Sequence, residues 1–340
     1  MKAHVTGVGS YIPADEVTNE RIAAETGVSA DWIEKRTGVR CRRWAHPEQA
    51  TSDLGAQASR NALATAGVSP EELGLIVSAT SLPDELGPSV ACRVQERLRA
   101  LNAAAMDVGA ACSGFLYSLE VARSWITSRE EHRPVLVVGA EVYSRFLDPR
   151  DRGTAVLFAD GAGAVVLQAG DEETGLEPFR LGADGTGADL VGVFAGGSRR
   201  PASRETVASA EHTIRMDGRR ISEFTAEIFP RMVRECLEEH RIALSDIDLV
   251  VPHQPNPRLL QEVATRLGIS SRQLVLTGDE VGNIGAGSVP FGLARAAGTG
   301  RLRRGDRVLL LAFGAGMTWG SGLLTWSGTA PHTAREGDPA

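Results

Sequence analysis

The chain has 340 residues, 42% of them hydrophobic and 23% charged, the balance of a globular protein with apolar mass enough for a large core. Its formal charge of −7 argues against a general nucleic-acid binder, and no apolar run approaches the roughly 18 residues that a membrane span needs. Four cysteines, Cys41, Cys92, Cys112 and Cys236, lie scattered with no C-x-x-C pair and no histidine at zinc spacing, so a reduced, cytoplasmic protein without structural metal is expected.

The opening segment M-K-A-H-V-T-G-V-G-S-Y-I-P lacks the ordered head, apolar stretch and cleavage site of a signal peptide, and reads as a first strand. Leu75-Ile-Val-Ser-Ala is a short apolar run of the kind that forms a buried strand, and residues 89–98 are helix-like. The run M-D-V-G-A-A before Cys112 reads as a strand. After it, Phe115, Leu116, Leu119, Val121 and Ala122 form an apolar helical face. This turn of small residues places the Cys112 sulfur at a helix N-terminus, where backbone N–H groups and the helix dipole are expected to favour the nucleophilic thiolate. The serine elbow of hydrolases has an analogous geometry. Val135-Leu-Val-Val-Gly-Ala predicts another buried strand, and Leu249-Val-Val-Pro another, followed by a helix-like stretch over 257–267. Residues 278–293 repeat the pattern of a small-residue turn feeding an apolar helix, and Leu309-Leu-Leu-Ala-Phe-Gly is the last strongly apolar run. The polar end of the chain, residues 329–340, is expected to be a flexible tail.

These segments recur at one displacement. Leu75 and Leu249 open a pair of similar strands 174 residues apart, and Val135 and Leu309 open a second pair at the same spacing. Alternating strands and helices indicate an α/β architecture. The constant spacing indicates two similar halves, 1–170 and 171–328. The same displacement carries Ala79 onto His253 and Cys112 onto Ala286, which puts Asn283 in the second half's counterpart of the cysteine loop. If the halves pack about a pseudo-twofold axis, Cys112, His253 and Asn283 meet in one site.

Ordered motifs run almost end to end: D-W-I-E-K-R-T-G-V-R from Asp31, T-S-D-L-G from Thr51, A-A-C-S-G-F around Cys112 and L-F-A-D-G-A-G-A from Leu157. They continue with H-Q-P-N-P-R from His253, G-N-I-G-A-G-S-V-P from Gly282 and F-G-A-G-M-T-W-G-S from Phe313. On these residues the chain resembles the β-ketoacyl-acyl carrier protein synthase III family, the initiating condensing enzymes of the thiolase-like superfamily. The resemblance implies a five-layer α-β-α-β-α thiolase fold, a homodimer, and a two-stage reaction. An acyl group passes from coenzyme A to Cys112, and malonyl-acyl carrier protein then decarboxylates to a carbanion that attacks it. Cys112 matches the family's nucleophile, His253 and Asn283 its partners, and the backbone amides of Cys112 and Ala315 its oxyanion hole. The chemistry agrees, since acyl transfer needs an activated thiolate and the enolate formed on decarboxylation needs neutral donors.

The resemblance also implies the substrate contacts. Trp32 and Arg36 match residues that sandwich the adenine of coenzyme A, Arg152 matches another nucleotide contact, and Phe158 matches a substrate-binding position. Arg258 matches a residue facing the acidic carrier protein, with Arg266 a weaker candidate. Gly87 falls where the family places a larger side chain that caps the partner subunit's acyl pocket, so acyl groups beyond acetyl are expected to fit. Pro255 and Arg219 depart from the family pattern, and the Gly-rich stretch from Val193 is expected to be a surface loop near the entrance. The implied partners are acyl-CoA, as substrate rather than cofactor, and malonyl-acyl carrier protein; no metal, nucleic acid or membrane is implied. A relative that moves acyl groups to an alcohol or amine without decarboxylation is the alternative, and the intact Asn283 weighs against it. The intact Cys112 weighs against a silent partner subunit, and the absence of a second cysteine placed as a base disfavours the thiolase reaction.

Overall fold

Strands that are apolar on both faces can be buried only between two layers of helices, and the chain provides three such layers. The computed structural model describes residues 1–171 and 173–328, so the expected tail at 329–340 lies outside the described residues. In chain order the strands are β1 (Lys2–Tyr11), β2 (Asp15–Thr18), β3 (Cys41–Trp44), β4 (Leu75–Ala79), β5 (Ala104–Val108), β6 (Val135–Val142), β7 (Asp160–Gly170), β8 (Gly175–Leu176), β9 (Arg180–Ala183), β10 (Val191–Gly192), β11 (Arg215–Met216), β12 (Leu249–Pro252), β13 (Arg307–Gly314) and β14 (Thr318–Thr325). The helices are α1 (Asn19–Thr26), α2 (Ala30–Thr37), α3 (Thr51–Ala66), α4 (Val90–Leu98), α5 (Gly114–Thr127), α6 (Arg204–Ala208), α7 (Gly218–His240), α8 (Pro257–Arg266), α9 (Gly278–Val281) and α10 (Ser288–Gly298).

The first large sheet has the order β1-β7-β6-β4-β5, and the second runs β12-β13-β14-β8 with β9 also paired to β14. In the first, β4 lies parallel to β5 and β6, while β7 is antiparallel to β6 and β1. The second repeats the plan: β12 is parallel to β13, which is antiparallel to β14, and a parallel bridge from Val250 to Leu274 stands where β5 stands in the first. The turns follow the 174-residue displacement. A short 3-10 turn at Ala111–Ser113 feeds α5 from Gly114, and one at Gly285–Gly287 feeds α10 from Ser288.

Alternation along the strands sorts their side chains into layers. Leu75, Val77, Val135 and Val137 face the centre, where they meet Leu116 and Leu119 of α5 and Val289 and Leu293 of α10. From the other sheet, Val251, Leu310 and Leu324 enter the same central core. Ile76, Leu136 and Val138 point outward against Leu54 and Ala58 of α3 and Val94 of α4. Val250, Leu309 and Leu311 point outward against Phe229 of α7 and Leu260 of α8. The five layers expected of a thiolase fold are therefore present. Each fully buried Leu, Ile or Val contributes about 1.5–3 kcal/mol to holding them together.

The two sheets approach through a residue without a side chain. A Cβ at Gly139 in β6 would overlap the carbonyl of Ala286, in the turn before α10. Gly139→Ala is expected to destabilise the protein by about 1–3 kcal/mol, the usual cost of overpacking a tight contact. Urea unfolding measures this; an unchanged midpoint would mean that the contact gives way freely.

Candidate active site

The carboxyl ends of β4, β5, β6, β12 and β13 open toward one cavity of about 540 Å³. Ligands of parallel sheets bind beyond these strand ends. The cysteine arrives on the turn after β5, where Ala111 has φ of 47°, in the left-handed region that costs a residue with a Cβ about 1–3 kcal/mol. Neighbouring hydroxyls hold the turn. Ser113 Oγ lies 2.7 Å from both the Ala110 carbonyl and Thr318 Oγ1, and Thr318 Oγ1 lies 3.0 Å from the carbonyls of Ala110 and Ala315. The Cys112 loop and the Ala315 loop are thereby tied together. Gly314 completes the junction, for a Cβ there would stand 2.6 Å from the Cys112 nitrogen.

The state of the sulfur corrects one expectation. Burial, and then the charge of Glu141, push the Cys112 thiol up to about 12, against the pull of a Tyr143 hydrogen bond and of its own backbone. The short turn at Ala111–Ser113 runs directly into α5, so the sulfur does lie at a helix start, but desolvation outweighs the backbone's pull there. Burial thus favours the protonated thiol.

His253 follows β12, and its backbone N–H donates to the Leu311 carbonyl of β13 at 2.8 Å. The ring is buried, packs edge-on to Phe313 at 5.8 Å between centroids, and has Nδ1 3.3 Å from Ser288 Oγ. Burial pushes it down to about 3, against the Gly285 backbone, so the imidazole is neutral at any physiological pH. Asn283 pairs with Phe158 as an isolated bridge, its N–H donating to Leu157 and its carbonyl accepting from Ala159. Its Oδ1 accepts from the Gly285 N–H at 2.9 Å, which leaves the carboxamide NH₂ free to donate elsewhere.

Cys112, His253 and Asn283 all line the cavity, as do Ala315, Trp32, Arg36, Arg152 and Phe158. Trp32 and Arg36 are exposed on α2, whereas His253 and Asn283 are buried, so the cavity leads inward from the surface. Pro255 and Arg219 line it too, and Arg219 pairs with Glu223 at 2.9 Å. The stretch expected as a loop is partly ordered: Val191 to Val193 line the cavity, β10 pairs with β11, and α6 follows. Three predicted residues, Arg258, Arg266 and Gly87, are not among the cavity's lining residues. Arg258 pairs with Glu262 at 3.0 Å and donates to the Lys35 carbonyl at 2.6 Å, tying α8 to α2. Gly87 sits in open space on the loop before α4, away from its own chain's cavity, because that loop leads outward from β4.

Sequence reasoning missed a polar group beneath the sulfur. Tyr143 Oη lies 3.7 Å from Cys112 Sγ and 3.1 Å from Ser81 Oγ. Behind it the buried Glu141 accepts from the Ser81 N–H and hydroxyl and from the Thr80 hydroxyl. The available signal was a glutamate inside the otherwise apolar run V-L-V-V-G-A-E-V. Among the described residues, no cluster of three or more His, Cys, Asp or Glu could hold a metal, and no helix is long and apolar enough to cross a membrane.

Comparison with known proteins places this site in context. The family model for 3-oxoacyl-[acyl-carrier-protein (ACP)] synthase III matches residues 106–185, and that for its C-terminal part matches residues 237–326. The β-ketoacyl-[acyl-carrier-protein] synthase III of Caldanaerobacter subterraneus subsp. tengcongensis is 42% identical over 327 residues, 96% of this chain and 98% of its own. The 3-oxoacyl-(acyl carrier protein) synthase III of Pseudomonas aeruginosa PAO1 superimposes with a TM-score of 0.89 at 40% identity, covering 97% of this chain and 100% of its own. The priming β-ketosynthase of the R1128 polyketide pathway gives a TM-score of 0.88 at 33% identity, covering 96% and 97%.

Proposed function

Because the chain belongs to the β-ketoacyl-acyl carrier protein synthase III family of thiolase-like condensing enzymes, we propose that Cys112, His253 and Asn283 carry out its reaction. The protein is an acyltransferase of the condensing type that initiates fatty-acid or polyketide synthesis. One observation supports the residue assignment above the rest: side chains from residues 112, 253 and 283, on loops of both sheets, line a single cavity.

In the first stage the Cys112 sulfur attacks the thioester carbonyl of acyl-CoA as its proton departs. The amides of Cys112 and Ala315 receive the oxyanion, and the coenzyme A thiolate leaves. In the second stage malonyl-acyl carrier protein loses carbon dioxide. The resulting enolate oxygen lies against the Asn283 NH₂ and the His253 Nε2–H, which keeps its hydrogen when the Ser288 hydroxyl donates to Nδ1. The carbanion then attacks the Cys112 thioester, releasing the β-ketoacyl product and the Cys112 thiolate. Two neutral donors suit an enolate, since they stabilise its charge without protonating the carbanion beforehand.

Trp32 stacks on the adenine of coenzyme A, with Arg36 and Arg152 meeting its polar groups. Arg258, at the start of α8 with Arg266 at its end, is the surface offered to the acidic carrier protein. The working form is a cytoplasmic homodimer built from halves at 1–170 and 171–328. Leu86, 90% exposed beside Gly87, is an apolar side chain for the second copy to cover. Gly87 then leaves the partner's acyl pocket open to branched or medium-length groups.

A panel of acyl-CoA donors, read by the mass added to the Cys112 peptide, tests this reading. Acylation at Cys112 is expected, followed by release of carbon dioxide when malonyl-carrier protein is added; Cys112→Ala should accept no acyl group. Acylation without decarboxylation would instead favour transfer to an alcohol or amine. In the same panel Gly87→Phe should shift preference toward acetyl, and an unchanged chain-length profile would remove Gly87 from the pocket.

His253→Ala and Asn283→Ala should each slow condensation by about 10²–10³-fold, the usual cost of losing one such donor, while acylation persists. Since the imidazole protonates only near about 3, decarboxylation by pre-acylated enzyme should show no histidine titration as pH falls from about 8 to 5. A stopped assay of carbon dioxide release decides; an inflection near the ordinary histidine value that persists when the buried Glu141 is replaced, as Glu141→Gln, would contradict the neutral-donor role.

A further inference from the structure

We infer that the thiol proton of Cys112 leaves through a hydroxyl relay, passing Tyr143 and then Ser81 to the buried carboxylate of Glu141. The inference rests on Cys112 being the acylated nucleophile. The path is continuous, from Cys112 Sγ to Tyr143 Oη at 3.7 Å, Tyr143 Oη to Ser81 Oγ at 3.1 Å, and Ser81 Oγ to Glu141 Oε1 at 3.0 Å.

With Glu141 ionised and the sulfur still a thiol, the hydroxyl hydrogens can all line up in one direction. An ionised carboxylate can only accept, and Glu141 accepts from the hydroxyls of Ser81 and Thr80 and the backbone N–H groups of Ser81 and Ala286. With the Ser81 hydrogen given to Glu141, its oxygen can only accept from Tyr143. With the tyrosine hydrogen given to Ser81, the phenolic oxygen offers its lone pair to the thiol. Every hydrogen in the chain therefore points from sulfur toward carboxylate. Space is kept for this arrangement, because a Cβ at Gly285 would overlap the Tyr143 hydroxyl.

As the sulfur–carbon bond forms, the S–H bond breaks and its proton moves to Tyr143. Tyrosine's proton moves to Ser81, and the serine proton to Glu141. The coenzyme A thiolate departs and takes a proton from solvent. When condensation later releases the Cys112 thiolate, the relay runs backward and returns the proton to sulfur.

The surroundings suit a proton acceptor. Glu141 has no salt bridge among the described residues, and its burial, opposed by the donors around it, pushes it up to about 7. The titratable groups facing it are Cys112, from the turn before α5, and Tyr143, just after β6. The end of β4 and the turn before α10 offer it only Thr80, Ser81 and the Ala286 N–H. The ionised carboxylate opposes a thiolate nearby; once it holds the proton, that opposition is gone.

The test is the single-turnover rate of Cys112 acylation by acyl-CoA, read by peptide mass from about pH 5.5 to 9.5. Wild type should accelerate through about pH 7, as Glu141 ionises, and then level off. Tyr143→Phe keeps the ring edge-on to Phe158 but removes the hydroxyl. At pH 7 it should acylate about 100-fold more slowly, within the range of general-base effects, and lose the inflection. Ser81→Ala should behave alike, which covers the case that Glu141→Gln fails to fold. A Tyr143→Phe enzyme with the wild-type rate and inflection overturns the relay alone. A wild-type protein that takes up no acyl group at Cys112 overturns the relay and the functional reading together.

Discussion

Each sheet holds the other half's turn at backbone contact, and the site depends on that closeness. Gly314, at the end of β13, lies against the Cys112 nitrogen of the first half, and Gly139 of β6 lies against the Ala286 carbonyl of the second. A side chain at either glycine would push a turn away by more than catalysis tolerates, since reacting groups must be held to within a fraction of an ångström. The hydroxyls of Ser113 and Thr318 fasten the first junction further. Cys112, His253 and Asn283 therefore sit on strand ends and helix starts braced by two sheets, while the exposed Trp32 and Arg36 lie on a short helix outside that frame.

Burying this site has three electrostatic consequences from one cause. Burial keeps His253 neutral, the state suited to a hydrogen-bond donor that is not an acid. It favours the protonated Cys112, which spares the thiol from side reactions but raises the cost of making it a nucleophile. Glu141 moves up toward neutrality, where a carboxylate is a useful base. The first two roles pull in opposite directions, because the water exclusion that favours the enolate step penalises the thiolate step. A carboxylate tucked behind Ser81 and Tyr143 reconciles them, since taking the proton cancels the very charge that opposed the thiolate.

Much of this was legible in the sequence because it is written as pattern. The buried strands at Leu75 and Leu249 are apolar on both faces, and the 174-residue displacement carries the turn at Ala111–Ser113 onto that at Gly285–Gly287. Cys112, His253 and Asn283 could be placed in one cavity on that symmetry. The protonation state of the sulfur could not, since helix position is local whereas desolvation depends on which walls close around the residue. Tyr143 and Ser81 lie 62 residues apart, and neither belongs to a motif that announces acid–base chemistry. Only Glu141 left a trace, as a charge where the strand pattern calls for an apolar side chain. Gly87 and Arg258 read from the sequence as binding residues, yet in a single chain neither lines the cavity, because the repeat pattern places loops but not the surfaces they present.

The most direct measurement is a crystal structure of the protein carrying an acyl group on Cys112. The account predicts a thioester whose carbonyl oxygen lies about 2.7–3.1 Å from the amide nitrogens of both Cys112 and Ala315, with His253 Nε2 and the Asn283 NH₂ facing the open side of the thioester carbon. An acyl group on another residue, or a carbonyl turned away from both amides, would contradict it.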